Sequence, residues 1–223
     1  MSQAIESPEP ALDVSNLSDR VFSHIRSLIM TGALKGGQRI PEQVIARRLG
    51  VSRTPIREAL RRLEEYGLVV FERRRATCVA TITAADRRRI GEVRLELSLL
   101  AMRLLVPRAT PEDCAALRAL VDLCRDCAAR GDRAGCFEAD SLLHCAFAER
   151  SGNQYLSDLT RILDHKVQLL RNIEQESAGQ LLAGISHHGP LVQAICRGDA
   201  AAAETLMAEH ITGSYFSDGE GRP

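Results

Sequence analysis

Apolar residues in "LSDRVFSHIRSLIMTG" fall at Val21, Ile25, Leu28 and Ile29, a helical spacing. Ser18 or Asp19 offers a cap before them and Gly32 a stop after them, which predicts a first helix. The turn-rich "GALKGGQRI" leads to "PEQVIARRLG", where Pro41 suits a first turn and Val44, Ile45 and Leu49 make an apolar stripe ending at Gly50. A third helix is predicted in "VSRTPIREALRRLEEYG", capped by Ser52 or Thr54, burying Ile56, Leu60 and Leu63 and ending at Gly67. The pattern then shortens to two β-prone runs in "LVVFERRRATCVATI", on either side of Arg73, Arg74 and Arg75.

Beyond this point strand signals fade. Helical patterns are punctuated by "RATPED", "ARGDRAG", "RSGNQ", "SAGQ" and "RGDA", which predicts an all-α bundle of six or seven helices. The fold expected is mainly α: a winged helix-turn-helix over 17–83 and a helical domain over 84–215. A disordered leader is expected over 1–16 and a flexible tail over 216–223. The apolar run "LELSLLAMRLLV" is short and holds Arg103, and the acidic first residues lack an apolar segment. A cytoplasmic protein without a membrane partner is expected.

Charge sharpens the division. The formal net charge is zero, yet residues 17–83 hold 13 Lys and Arg against 6 Asp and Glu, a balance of +7, and the remainder carries −7. A basic module joined to an acidic one points to a polyanion for the first. The seven cysteines are scattered through the chain, which predicts reduced thiols; Cys124 and Cys127 form C-x-x-C without a second pair and read as small apolar residues.

Two helices joined by the tight "LGVS" turn, the second opening on polar and basic residues, form a helix-turn-helix layout. Arg53 and Arg57 share a face at i and i+4, and a guanidinium can bond O6 and N7 of guanine together. Arg61 and Arg62 are expected at phosphate or solvent, and the basic run at the wing at the DNA backbone or minor groove. Standing alone, such a helix would be a solvated charged face. The turn, stripe, wing and local charge all agree on DNA.

In the acidic half, Asp140 and His144 stand i and i+4 among apolar neighbours, and His188 and His210 follow on later helices. A single core-facing histidine is usually a satisfied core residue. One carboxylate and three imidazoles together suit zinc, nickel, manganese or iron, with coordination left for water or an incoming carboxylate. Such a site admits an alternative, a metal-dependent hydrolase activating water.

The stretch "IMTGALKGGQRIPEQVIARRLGVSRTPIREALRRLEEYGLV" resembles the winged helix-turn-helix of GntR-type bacterial transcription regulators, most of all in V-S-R-T-P-x-R-E-A-L. The resemblance implies operator contacts by Arg53, Thr54 and Arg57; Arg61 along the helix and Arg75 at the wing are expected beside them from the basic pattern itself. D-x-x-x-H followed by "SGN", with His188 and His210 around "AICRGDAAAAETLM", is similar to the ligand-sensing FCD domain of the FadR-like subgroup. That resemblance implies a divalent metal, most simply zinc, held by Asp140, His144, His188 and His210, and a small organic-acid effector met by Arg94. Together the two imply a homodimeric repressor on a two-fold double-stranded DNA operator, released by its effector.

Overall fold

The computed structural model describes residues 14–72, 76–174 and 184–216. The chain divides into two compact units between Thr81 and Ile82.

In the first unit, α1 (Val14–Met30) packs on α3 (Arg53–Glu65), and α2 (Glu42–Leu49) leads into α3 through residues 50–52. Helical spacing aims Val21, Ile25 and Ile29 of α1 and Ile56, Ala59, Leu60 and Leu63 of α3 at a shared core, where each is at most 1% exposed. Gly50 closes α2 at φ 67°, a left-handed conformation that a side chain rarely adopts. Strands β1 (Val69–Phe71) and β2 (Thr77–Val79) pair antiparallel, Val69 opposite Val79. Residues 37–40 line the other side of β2: the Ile40 amide donates to the Thr77 carbonyl at 2.8 Å and the Val79 amide to that of Gln38 at 2.9 Å.

Three sequence expectations change here. The first helix starts at Val14, inside the expected leader: Ser18 lies within it and is buried, so it is not the helix cap. Val44 is 51% exposed and lies outside the core stripe, because the short α2 buries Ile45 alone. Ser52 occupies the cap position of α3 but its side chain makes no capping bond. The wing arginines Arg73, Arg74 and Arg75 fall outside the described residues.

The second unit contains α4 (Ala84–Leu105), α5 (Pro111–Ala129), α6 (Arg133–Arg150), α7 (Gln154–Glu174), α8 (His188–Cys196) and α9 (Ala200–Tyr215), six α-helices among the described residues. Thr83 and Thr110 open α4 and α5 with reciprocal capping boxes to Asp86 and Asp113. Met102, Leu105, Leu117, Leu143, Phe147, Leu191 and Met207 fill the core. Gly91 lets α9 close on α4, since a Cβ there would stand 2.6 Å from that of Tyr215. Phe216, assigned to the tail by sequence, packs against this core because helix α9 carries the chain back along α4.

Cys114, in the first turn of α5, and Cys196, ending α8, form a disulfide with Cα atoms 5.7 Å apart. This overturns the expectation of seven reduced thiols: packing of α5 on α8 joins positions 82 residues apart in sequence. Cys124, Cys127 and Cys136 sit in a small buried cluster with Ala139 and Ile185. Burial pushes the Cys124 thiol up to about 12, so it behaves as an apolar side chain.

Candidate metal centre and nucleic-acid interface

Helix α6 presents Asp140 and His144 one turn apart on its buried face, α8 contributes His188 from its first turn, and α9 contributes His210. All four are at most 5% exposed, and one ligand atom from each falls within 4.8 Å of the others. No second group of three or more His, Cys, Asp or Glu side chains converges in this way among the described residues. The four can hold a metal ion.

Several polar atoms in the cluster lack a partner. The Nε2 atoms of His144 and His210 stand 3.1 Å apart, and these two rings stack. Nε2 of His188 lies 3.2 Å from Oδ1 of Asp140 without forming a well-directed hydrogen bond, and neither of its ring nitrogens has a hydrogen-bond partner. Burial holds both His144 and His210 well below the usual imidazole range, reinforced by the Arg94 charge for His144 and by His188 for His210. Neutral imidazoles keep lone pairs available. Burial opposes ionisation of Asp140, but the adjacent Arg171 guanidinium acting together with His144 and His188 holds the carboxyl well below its usual range. An anionic oxygen with neutral imidazoles, buried and short of hydrogen bonds, fits a divalent transition metal.

Two guanidiniums complete the surroundings. Arg94 of α4 is 6% exposed; its Nη1 donates to the Tyr215 hydroxyl at 2.9 Å, while Nη2 lies 3.6 Å from Asp140 Oδ2 without a hydrogen-bond partner. Arg171 of α7 donates to Asp140 Oδ2 and lies, like Arg133, against the ring of Phe137. Sequence reasoning missed Arg171 and Tyr215. The signal for the first was an arginine in "VQLLRNI", next to the buried Val167 and Leu170. His187, adjacent to His188, is half-buried and stands outside the four.

In the first unit, Arg53, Thr54, Arg57 and Arg61 are exposed along the side of α3 opposite its buried residues. Arg53 and Arg57 also line an open groove of about 780 Å³ with Arg39, Gln43, Val44 and Arg47. Arg62 is tied into the scaffold: it pairs with Asp19 and covers the Phe22 ring at 4.6 Å. Its neighbour in sequence, Arg61, forms part of a second groove with Arg57 and Phe71.

Residues 17–79 match the model of bacterial regulatory proteins of the gntR family, and residues 89–213 that of the FCD domain. The chain belongs to the FCD-domain family and carries a GntR-type helix-turn-helix domain. It is 24% identical over 190 residues to the uncharacterized HTH-type transcriptional regulator YdhC of Bacillus subtilis (strain 168), covering 85% of each chain. To the HTH-type transcriptional regulator McbR of Escherichia coli (strain K12) it is 30% identical over 144 residues, 65% of each. The solved structure of E. coli McbR/YncC superposes with a TM-score of 0.78 at 27% identity, covering 88% of this chain and 94% of that one. A third relative, from E. coli (strain K12), is provisionally named the L-lactate dehydrogenase operon regulatory protein; it is 28% identical over 220 residues, 88% of this chain and 84% of its own. The protein is a DNA-binding transcriptional regulator. The hydrolase alternative finds no support, since family and relatives are regulators. No helix among the described residues is long and apolar enough to cross a membrane.

Proposed function

We propose that this protein is a cytoplasmic, homodimeric repressor whose helical unit binds a divalent metal, zinc by preference, and a small organic acid that releases it from a two-fold operator. The observation that carries this reading is the buried charge balance at the cluster. One carboxylate, Asp140, faces two guanidiniums, Arg94 and Arg171. A divalent cation held by Asp140, His144, His188 and His210 raises the positive excess to three charges in a site closed to water. Uncompensated buried charge is costly, so an anion with one or more carboxylates is the complementary ligand.

A divalent metal held by these four residues would supply Lewis acidity toward a carboxylate of the effector. The chain supplies the rest. Arg94 offers its unpartnered Nη2 to the acid while Tyr215 holds the other arm of the guanidinium. Arg171, with the neighbouring histidines, favours the ionised Asp140 that would serve as an oxygen ligand. The name of the relative from the L-lactate dehydrogenase operon fits an organic acid as effector. Chelation itself releases protons only where a ligand was protonated, and the neutral rings of His144 and His210 require little such release.

On the DNA side, Arg53 and Arg57 read bases in the major groove, Thr54 contacts backbone at the start of α3, and Arg61 and Arg75 contact phosphate. One module offers few base contacts, so two copies on half-sites one helical turn apart, about 34 Å, provide the specificity. For the effector to alter DNA affinity usefully, the coupling has to reach about 1–3 kcal/mol. Metal analysis of untagged protein, followed by thermal melting with a panel of mono-, di- and tricarboxylic acids, tests the site. One metal per chain and an acid-dependent rise in melting temperature are expected; metal-free protein indifferent to every acid would refute the proposal.

A further inference from the structure

Helices α5 and α8 run antiparallel along one seam. At one end Cys114, in the first turn of α5, is bonded to Cys196, the last residue of α8. At the other end Gly189 of α8 lies against Arg125 of α5, where a Cβ would stand 2.5 Å from the guanidinium Nη2. The seam is open there: Arg118, Arg125, Gly189, Pro190 and Gln193 line a surface groove of about 450 Å³. Leu191, Val192 and Ile195 of α8 are at most 2% exposed and hold the middle of the helix to the core.

Helix α8 has nine residues, too few to be stable without its neighbours. Its first residue is His188 of the metal cluster and its last is Cys196, roughly 12 Å away along the axis. The covalent bond thus fixes one end of the helix, and His188 stands at the end that borders the groove. It is in this bonded form that the four candidate ligands converge. Breaking the bond releases the far end of α8, which admits further arrangements of the helix and lowers the share of chains with His188 in place. Apparent metal affinity falls in proportion to that share.

A disulfide in the cytoplasm is ordinarily transient or redox-sensing, because the thiol pool there keeps most cysteines reduced. The two sulfurs of this bond differ in exposure: Cys114 is 6% exposed, whereas Cys196 is half-buried at the helix end. The other cysteines compete poorly at neutral pH. Cys78, Cys124, Cys127 and Cys136 are buried, and burial pushes the Cys145 thiol up to about 12.

We propose that Cys196 and Cys114 form a thiol–disulfide exchange site for a low-molecular-weight disulfide, and that its redox state sets how tightly the His188 centre holds its metal. The inference rests on the cytoplasmic, metal-binding reading above and adds a second input to it. The Cys196 thiolate attacks one sulfur of the incoming disulfide; that S–S bond breaks, one small thiol leaves with the proton Cys196 gave up, and a mixed disulfide remains. The Cys114 thiolate then attacks Cys196 Sγ, and the second small thiol leaves with the proton from Cys114. Two protein thiols are oxidised and one small disulfide is reduced to two thiols. The reverse sequence restores both cysteines when the pool turns reducing. Metal and redox state are linked reciprocally, so a metal held tenfold more tightly by the oxidised form makes the bond harder to reduce by about 30 mV.

The test equilibrates untagged full-length protein, without oxygen, in glutathione mixtures of graded ratio, followed by acid quenching, alkylation and mass mapping. Glutathione is removed before zinc affinity is measured by chelator competition. One two-electron transition between dithiol and disulfide is expected, with zinc held about tenfold more tightly by the oxidised form and a midpoint about 30 mV lower when zinc is bound. Cys114→Ser should trap glutathione on Cys196, whereas Cys196→Ser should leave the buried Cys114 largely unmodified. The double serine variant should bind zinc like reduced wild type at every ratio, and circular dichroism checks that each variant is folded. A disulfide that no ratio reduces in the folded protein, or thiols that no ratio oxidises, would overturn the exchange site. Equal zinc affinity in both redox forms would overturn the linkage and leave the metal reading standing. No zinc uptake by either form would refute that reading and the linkage together.

Discussion

The Nε2 atoms of His144 and His210 face each other across 3.1 Å, from helices 66 residues apart in sequence. Both rings are kept neutral by burial. Without a metal, one nitrogen must carry the proton and donate to the other; as neutral rings, both residues would have a lone pair with which to hold a metal. His144→Ala is therefore expected to lower metal content by at least about tenfold at fixed free metal. Elemental analysis after dialysis against buffered zinc reads this out, and the apo protein should retain most of its operator binding. Unchanged metal stoichiometry would remove His144 from the ligand set.

Arg171 is the internal partner of Asp140. Removing it leaves a buried carboxylate without its strongest cation, which costs about 3–5 kcal/mol when a buried pair is broken. Arg171→Met should thus destabilise the metal-free helical unit strongly and the metal-loaded one much less, because the ion supplies the missing positive charge. Urea unfolding with and without bound metal measures the difference. Equal losses in both states would show that Arg171 acts by packing on Phe137 alone.

Neighbouring arginines on α3 should separate into two kinds. Arg53→Ala is expected to cost about 1–3 kcal/mol on the cognate operator and little on random DNA. Arg62→Ala removes a partly exposed pair with Asp19 and its cover over Phe22, so it should lower fold stability by less than about 1 kcal/mol and leave base preference unchanged. Competition binding against operator variants distinguishes them. Equal loss on all DNA sequences would move Arg53 to the phosphate contacts.

Much of this was legible locally. Periodicity located the three helices of the winged unit because each buries one face at 3.6-residue spacing, and Asp140 with His144 could be paired because i and i+4 share a helix face. What sequence spacing could not supply is how helices meet. His188 and His210 join His144 through the packing of α8 and α9. The same holds for Arg94 with Tyr215, 121 positions away, and for residues 37–40 beside β2. These contacts were beyond local pattern reading, and for His188 and His210 only the family resemblance suggested the grouping. The start of α1 was misplaced because Ser and Asp serve both as caps and inside helices.

The Cys114–Cys196 disulfide closes a loop of 82 residues in sequence separation and ties α5 to the end of α8, the helix that carries His188. Its loss removes a constraint on the unfolded chain worth about 2–4 kcal/mol. Cys114→Ser should lower stability by that amount in oxidised protein and not at all under strong reductant. Mass mapping of alkylated peptides checks the bond directly; complete alkylation of both cysteines in untreated native protein would contradict it.

Acid sensitivity has a local origin at α5. Hydrogen bonding from the Thr110 backbone lowers the Asp113 carboxyl below its ordinary value, with Arg150 adding to it at 3.2 Å. A carboxyl depressed in the folded state contributes stability above its unfolded value near 3.8, and that contribution is lost as pH falls through the folded value. Asp113→Asn should therefore lower stability at pH 6 and flatten its decline below about pH 4. An unchanged slope in denaturant titrations would mean that other carboxyls dominate this region.

Control of operator binding through the metal centre is tested most directly by one titration. Purified protein, metal-loaded or metal-free, is equilibrated at fixed salt with the operator selected from genomic fragments, while organic acids are added one at a time. The account predicts a discrete two-fold site and release by one acid, with affinity falling about 5- to 150-fold only when metal is bound. Sequence-specific binding that no acid alters, with metal or without it, would contradict the sensing role of Asp140, His144, His188 and His210.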